Sequence, residues 1–303
     1  MQKETGMKQA VIDLGSNTVR LSVYEVERDG FKRVFTQKIA AGLAGYIENG
    51  LMTDAGIIIA ADALKRLLQQ ANVRAQAVNV FATAAIRNVK NSAETVFKIE
   101  QSTGAKIEVL SGKDEGMLAL AGARRSFPEN DGTLFDVGGG STEVVRFAGE
   151  EVTDAVSLEL GSMSLFKQFV SGDYPTESEI HDMKMKIDDM LSKSEVCRKN
   201  SAALLGVGGS IRALEVLGGM LISSHVKGLL EDCELFSLEQ VFCEDERAYA
   251  LMKRRFPERA NTIIPGMLII TSIMRMTGAK RIYVSKFGVR EGYVIQRVMK
   301  STT

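Results

Sequence analysis

The same pattern of residues occurs twice in this chain, at residues 11–18 and again at residues 134–143. In each copy an apolar run of β type delivers an aspartate, a glycine-rich turn with hydroxyl side chains follows, and a second β-type run begins. Glycine lets backbone N–H groups converge on an anion without a Cβ atom in the way, hydroxyl groups add donors, and an aspartate at the strand end can hold a cation. Each copy therefore predicts a β-hairpin that grips phosphate.

A third glycine-rich turn, at residues 206–209, also joins a strand-like run to a helix-like segment. Taken singly, an Asp-x-Gly turn is most often an ordinary hairpin, and Ile211 stands where a dinucleotide-binding turn would have its third glycine. Together, the two hairpins and the Gly-Gly turn resemble the actin/hexokinase/acetate-kinase superfamily. The resemblance implies an α/β fold of two duplicated, ribonuclease-H-like domains with an interdomain cleft that clamps phosphates. The alternative is three unrelated turns.

The length of the chain agrees with two domains. At 303 residues it exceeds the usual size of one domain, and 45% hydrophobic with 25% charged residues is an ordinary composition for a globular protein. Strand-like and helix-like segments alternate along it, as in α/β folds. The segment at residues 126–132 predicts the boundary, with an N-terminal actin-like phosphate-binding domain over residues 1–126 and a C-terminal actin-like domain over residues 127–303.

Composition argues against several kinds of partner and site. The formal net charge is zero, so overall charge gives no evidence for DNA as a partner. The three cysteines lack metal-ligand spacing, and their odd number argues against a disulfide framework, which favours a cytoplasmic location. The chain opens without a signal peptide, and its most apolar stretch, residues 263–274, is too short to span a membrane.

Two motifs are the most specific in the chain: Asp-Val-Gly-Gly-Gly-Ser-Thr-Glu at residues 136–143 and Ser-Gly-x-Asp-Glu at residues 111–115. They resemble those of the exopolyphosphatase/guanosine pentaphosphate phosphohydrolase (Ppx/GppA) family. The likeness covers essentially the whole chain, with motifs in the family's order at residues 13–20, 82–87, 110–115, 136–143, 206–212, 257–261 and 288–292. An HD-like C-terminal helical domain, present in longer relatives, is not expected here.

The resemblance implies Mg2+-dependent hydrolysis of terminal phosphoanhydride bonds, releasing orthophosphate from inorganic polyphosphate or from guanosine pentaphosphate. Mn2+ is the alternative metal, and no organic cofactor is expected. Two other functions stay open, a small-molecule kinase of the same superfamily and a non-catalytic sensor of polyphosphate or nucleotide. The presence of Glu115 and Glu143 without an acceptor motif favours water as the acceptor.

Phosphate binding is expected to involve both hairpin turns. A phosphoanhydride carries dense negative charge, so its hydrolysis needs electrostatic cover and alignment. By the resemblance, the two turns hold neighbouring phosphoryl groups from opposite sides, and the planar guanidinium of Arg87 adds a contact. The alternative interpretation places Arg87 on a helix surface. The predicted phosphate-binding residues are Gly15, Ser16, Asn17, Thr18, Arg87, Gly138, Gly139, Gly140, Ser141, Thr142, Gly208 and Gly209.

Two glutamates and two aspartates carry the implied chemistry. In the family, the glutamate at the position of Glu115 takes a proton from the attacking water, and Glu143 orients the water or a metal. Asp136 and Asp13 would bind Mg2+, which bridges phosphate oxygens. Without the resemblance, Glu115 would be interpreted as an acid that complements a helix dipole, and Glu143 as an outward-facing strand residue.

Assembly is the last expectation from sequence. Polyphosphate binding is electrostatic, so a chain of zero net charge must concentrate cations locally. The candidates are Lys253, Arg254, Arg255 and Arg259. A homodimer that joins two such patches is expected, with short polyphosphates favoured over long ones.

Overall fold

The computed structural model describes residues 6–28, 30–149 and 151–299. It divides into two compact units. The first runs to Ser111 and includes the segment that begins at Tyr293, and the second is continuous from Gly112 to Gly292. The predicted boundary at residues 126 and 127 differs from this division, because the helix that begins at Gly112 packs on the strands of the second unit.

The first unit is built on a five-stranded sheet in the order β3-β2-β1-β6-β7. A separate two-stranded hairpin is formed by β4 and β5. The strands are β1 Met7–Leu14, β2 Thr18–Glu27, β3 Gly30–Ala40, β4 Ile47–Glu48, β5 Leu51–Met52, β6 Ala77–Ala82 and β7 Glu108–Val109. The helices are α1 Asp54–Asn72, α2 Ala84–Arg87 and α3 Ser92–Thr103.

Helix α1 shows how local sequence determines an element of this unit. The Thr53 side chain accepts a hydrogen bond from the backbone N–H of Gly56 at 3.2 Å and caps the first turn. Asp54 adds a negative charge at the positive end of the helix dipole. Apolar residues recur at helical spacing from Ile57 to Ala71 and are buried against the sheet.

The second unit is built on a six-stranded sheet in the order β10-β9-β8-β11-β13-β12. The strands are β8 Asp131–Val137, β9 Thr142–Ala148, β10 Glu151–Leu158, β11 Ala203–Val207, β12 Leu229–Glu231 and β13 Arg281–Val284. The helices are α4 Gly112–Ala123, α5 Ser162–Phe169, α6 Glu177–Ser192, α7 Glu195–Arg198, α8 Gly209–Leu221, α9 Asp232–Glu244, α10 Glu246–Arg255, α11 Ile263–Thr277 and α12 Val289–Tyr293.

The two sheets repeat one topology. In each, three consecutive strands pair antiparallel, and the first of the three also pairs in parallel with a strand that follows a helical connection. The register sets Asp13 opposite Arg20 in the first unit and Asp136 opposite Glu143 in the second. This repetition agrees with the predicted pair of duplicated α/β domains.

The most apolar stretch of the sequence lies in α11, which is buried along almost its whole length among the other helices of the second unit. A helix that is apolar all round is typical of a protein core. Across the parts of the chain that the structure describes, no helix combines the length and apolarity needed to cross a membrane.

The closing segment of the chain belongs to the first unit. The Tyr293 ring stacks on Phe81 with centroids 5.3 Å apart, and its hydroxyl donates to Oε2 of Glu108 at 2.8 Å. Burial and this carboxylate both raise the pKa of Tyr293. A short π-helix, Val294–Met299, follows.

Candidate functional site

The turn between β8 and β9 is closed on itself and held from one side. The N–H of Gly138 donates to the carbonyl oxygen of Ser141 at 2.9 Å. The first residues of α5 then donate to the turn, Ser162 N–H to the Gly138 carbonyl at 3.0 Å and Met163 N–H to the Gly139 carbonyl at 2.9 Å. The carbonyl groups of the turn therefore face α5.

The amide groups of the same turn face the other way. In a trans peptide the N–H points opposite to the preceding carbonyl, so the N–H groups of Gly139 and Gly140 point away from α5. Neither has an acceptor among the residues that the structure describes. A Cβ atom at Gly161 would lie 2.4 Å from the Gly139 carbonyl, so the close packing behind the turn requires glycine. Adjacent outward N–H groups form a concave set of donors suited to an anion.

The first hairpin turn is held in the same manner. The Ser16 carbonyl accepts from Ala44 N–H at 2.9 Å, and the Asn17 carbonyl accepts from Gly42 N–H at 2.9 Å. The Ser16 side chain is 5% exposed, and its hydroxyl makes no hydrogen bond within the described ranges. Together with the amide side chain of Asn17, it is a donor that remains available to a ligand.

Hydroxyl groups of the second hairpin are used differently. The Ser141 hydroxyl donates to Oε1 of Glu143 at 2.8 Å, and the Thr142 hydroxyl donates to the Leu160 carbonyl. Both residues were predicted to offer their hydroxyls to phosphate. In this structure those hydroxyls bind protein acceptors, so the anion-binding capacity of this turn lies in its backbone.

Glu143 is buried, with 1% of its surface exposed. The alternative interpretation of Glu143 as an outward-facing strand residue therefore does not hold. Oε1 of Glu143 accepts a second hydrogen bond, from the Ser157 hydroxyl on β10 at 2.7 Å.

Glu115 lies in the first turn of α4 and is 9% exposed. The helix approaches the sheet through glycines: a Cβ at Gly112 would lie 2.2 Å from the Ser157 Cβ, and one at Gly116 would lie 2.7 Å from Val145 Cγ2 and 3.7 Å from the Glu143 Cβ. The residue after Glu115 therefore faces β9 near Glu143, with room there for a hydrogen atom but not for a methyl group. Sequence analysis assigned these two glutamates to different domains, and the structure places both in the second unit.

Asp136 lies one residue before the end of β8, opposite Glu143. Gly208 lies directly beside it: a Cβ there would be 2.7 Å from Oδ1 of Asp136, and the residue has φ +105°, so both space and backbone conformation require glycine. Arg212, one helical turn further on in α8, donates from Nη1 to the Ser285 carbonyl at 3.3 Å. Burial lowers the pKa of Arg212 to about 10, and the attraction of Asp136 opposes that shift.

Arg259 lies against the third glycine turn. A Cβ at Gly209 would fall 2.1 Å from its Nη2 atom. Burial lowers the pKa of the guanidinium, and no described residue accepts a hydrogen bond from it. Sequence analysis grouped Arg259 with Lys253, Arg254 and Arg255. In the structure Lys253 pairs with Asp173 at 2.9 Å, whereas the Arg259 guanidinium lies against Gly209. A desolvated guanidinium without an acceptor at a glycine turn is suited to an anionic ligand.

Arg87 follows β6 at the end of α2 in the first unit, and it is half-buried. Its Nη1 donates to the Leu110 carbonyl at 3.2 Å and its Nε to Oδ1 of Asn88 at 3.1 Å. These bonds direct the side chain along the carboxyl edge of the sheet, where ligands of α/β proteins bind.

The carboxylates suggest how a metal would be held. No group of three histidine, cysteine, aspartate or glutamate side chains converges on one point in the described part of the chain. Mg2+ commonly binds through one or two carboxylates, with substrate phosphates and water completing its shell. Asp136, beside the Gly138–Gly140 turn, fits such a ligand, whereas Oε1 of Glu143 already accepts two hydroxyl groups. Asp13 lies in the other unit.

Comparison with known proteins identifies a family and relatives that this chain resembles. The sequence model of the Ppx/GppA phosphatase family matches residues 22–301. Exopolyphosphatase 1 of Mycobacterium bovis is 25% identical over 306 residues, which covers 96% of this chain and 88% of that protein.

Solved structures agree on the fold. The crystal structure of the Aquifex aeolicus member of the Ppx/GppA family has a TM-score of 0.78 and 26% identity, covering 98% of this chain and 99% of its own. An exopolyphosphatase from Cytophaga hutchinsonii has a TM-score of 0.85 and 22% identity, covering 97% and 98%. The predicted fold, two actin-like α/β domains, is confirmed by these likenesses.

Proposed function

The chain belongs to the Ppx/GppA phosphatase family, and on this basis we propose that it hydrolyses terminal phosphoanhydride bonds. The substrate is inorganic polyphosphate, with short chains favoured, or guanosine pentaphosphate. The observation that carries the proposal is the turn at Gly138–Gly140, which presents outward N–H groups and joins the strand that carries Asp136 to the strand that carries the buried Glu143. Anion donors directly beside carboxylates are what hydrolysis of a phosphate ester or anhydride requires.

In the proposed reaction Glu115 accepts a proton from water as the water oxygen bonds to the terminal phosphorus. The bond from that phosphorus to the bridging oxygen breaks, orthophosphate leaves, and the electron pair stays on the shortened chain. Glu143 orients the water, since its carboxylate is fixed by two hydroxyl donors. Mg2+, held by Asp136 and substrate oxygens, would neutralise charge on the phosphates.

Cationic groups supply the remaining grip. Within the described part of the chain, no residue accepts a hydrogen bond from the guanidinium of Arg259 at the Gly208–Gly209 turn. Arg87, in the first unit, lies at the carboxyl edge of its own sheet. Planar guanidinium groups bind phosphate oxygens in pairs, which gives both affinity and orientation.

The test is release of orthophosphate from polyphosphate and from guanosine pentaphosphate, measured in parallel with Mg2+ and no second substrate. The proposal expects turnover of at least one of them. Phosphate transfer that requires an added acceptor would indicate the kinase, and binding without turnover would indicate the sensor.

A matched pair of variants tests the grip. Arg259→Met should raise KM by about tenfold, the size expected for a lost charged hydrogen bond. Arg66→Met, at an exposed arginine of α1, should leave KM within about twofold, as surface substitutions usually do. Equal effects of the two variants would contradict a specific contact at Arg259.

A further inference from the structure

Ser157, near the end of β10, takes no direct part in the reaction described above, but it is one of the two hydroxyl donors that hold Glu143. Its hydroxyl donates to Oε1 of Glu143 at 2.7 Å, and the hydroxyl of Ser141 donates to the same oxygen at 2.8 Å. The two donors come from different places in the chain, the hairpin turn before β9 and the neighbouring strand. Oε1 of Glu143 is thus held from two directions.

Ser157 also touches the helix that carries the proposed base. A Cβ atom at Gly112 would lie 2.2 Å from the Ser157 Cβ and 2.6 Å from its Oγ, so the first residue of α4 rests on this side chain. Glu115 follows three residues later in the same first turn. One small side chain thus contacts both the carboxylate of Glu143 and the helix that presents Glu115.

We propose that Ser157 is a positioning residue that fixes the Glu143 carboxylate relative to Glu115. This inference rests on the proposed function, which gives the two carboxylates their roles. A glutamate side chain has three rotatable bonds, and two donors that reach Oε1 from different directions restrict the position of that oxygen more than one donor does. Displacement of a catalytic group by about 1 Å can cost a hundredfold in rate.

Ser157→Ala removes the donor and leaves the Cβ that supports Gly112. It should lower kcat by roughly 10- to 100-fold, as loss of alignment does. KM should stay within about threefold, because the substitution leaves the backbone donors of the Gly138–Gly140 turn in place. Thr153→Ala, at an exposed position of the same strand, is the matched control and should leave kcat, KM and Tm unchanged. A kcat for Ser157→Ala within twofold of wild type would overturn the proposal.

A pair of variants separates the hydroxyl from the packing. Gly112→Ala alone would drive a methyl group into Ser157, so Tm and kcat should both fall. Adding Ser157→Gly makes room for that methyl group. The double variant should recover the Tm lost to the clash but keep the low kcat of Ser157→Ala. Recovery of kcat together with Tm would show that Ser157 only fills space, and would overturn the proposal.

Crystal structures of the wild type and of Ser157→Ala give a readout that does not depend on turnover. The proposal expects the Glu143 carboxylate to rotate in the variant while the backbone of α4 stays in place. An unmoved carboxylate would overturn it. If the wild type released no orthophosphate from either substrate, the proposed function would fail, and the carboxylate positions would still decide whether Ser157 anchors Glu143.

Discussion

Arg20 and Glu143 occupy equivalent positions in the two hairpins, each opposite the aspartate at the penultimate position of the preceding strand. The duplicated units therefore differ in charge at the same point of the fold. In the second unit that point holds a buried carboxylate with two hydroxyl donors, which suits the orientation of water. In the first it holds a guanidinium, which suits the cover of negative charge.

The first prediction at this scale concerns the proposed base. Glu115→Gln keeps the shape of the side chain but removes its ability to take a proton, so kcat should fall by roughly 100-fold or more. KM should change little, because the phosphate grip is intact. Steady-state kinetics on whichever substrate is turned over would check this. Turnover within a few-fold of wild type would remove Glu115 from that role.

The second prediction at the residue scale concerns the binding of Mg2+. Asp136→Asn replaces an anionic ligand by a neutral amide, so the Mg2+ concentration for half-maximal rate should rise. Asp131→Asn, at the exposed start of the same strand, is the matched control and should leave the Mg2+ titration unchanged. Coincident titrations of wild type and Asp136→Asn would exclude Asp136 as a ligand.

Individual residues were predictable from sequence where a local motif fixes the backbone. The Gly138–Gly140 turn and Asp136 lie where the motif placed them. The contact of Arg259 with Gly209 was missed, because it depends on how segments 50 residues apart in the chain pack together. The motif at residues 257–261 contains Arg259 and marks it as a candidate. The sequence alone does not show whether this arginine is partly buried beside a turn or lies on a charged surface.

At the scale of elements, α4 is the helix on which the site depends, and its glycines set its distance from the sheet. A Cβ at Gly116 would be 2.7 Å from Val145 Cγ2. Gly116→Ala should therefore destabilise the protein by about 1–3 kcal/mol, the usual cost of overpacking. It should also lower kcat by displacing Glu115.

The control for this variant is Gly30→Ala, where a Cβ would meet nothing within 4 Å. Its unfolding free energy should stay within about 0.5 kcal/mol of wild type. Denaturant titrations would measure both variants. An unchanged stability and kcat in Gly116→Ala would mean that α4 can move away from the sheet at no cost.

Helix α6 gives a prediction about pH. The backbone N–H of Thr176 and then the hydroxyl and N–H of Ser171 lower the pKa of Glu179 to about 2. A depressed pKa means that the stabilisation is present above the ordinary glutamate value of about 4.3 and is lost as pH falls towards 2. Glu179→Gln should therefore lower Tm at neutral pH, and the difference from wild type should shrink on acidification.

Glu177→Gln, in the same first turn but outside the capping box, is the matched control for this titration. Its Tm difference from wild type should be smaller at neutral pH. A difference for Glu179→Gln that stays constant from pH 7 to acid would show that the ionised capping box does not contribute.

Elements with strong periodicity were predicted closely, and those defined by tertiary contact were not. A threonine before a run of apolar residues at helical spacing is typical of a helix start, and α1 indeed begins after Thr53, whose side chain caps its first turn. The boundary at residues 126 and 127 followed a polar segment, whereas α4 joins the second unit through Gly112 and Gly116, whose close contacts exist only in the folded chain.

For the whole molecule, charge organisation leads to a prediction about processivity. The net charge is zero, and Lys253 of the predicted cationic patch is paired with Asp173. A small cationic surface should bind polyphosphate weakly and release the product often, so we expect a ladder of intermediates from a long polyphosphate. We also expect a homodimer, which would join two such surfaces. Rates should fall with salt.

Gel analysis of the products and the mass of the oligomer would check this prediction together. A ladder and a mass of two chains would agree with it. A monomer that takes long chains to completion without intermediates would refute both the dimer and the distributive action.

The return of the chain to its first unit at Tyr293 has a consequence for biosynthesis. Domains generally fold as the chain emerges from the ribosome, N-terminal parts first. Here the second unit is continuous, while the first lacks the ring that stacks on Phe81 and the hydroxyl that binds Glu108 until Tyr293 has been synthesised. The first unit is thus translated first but obtains its contacts with Tyr293 only after the whole second unit has been synthesised.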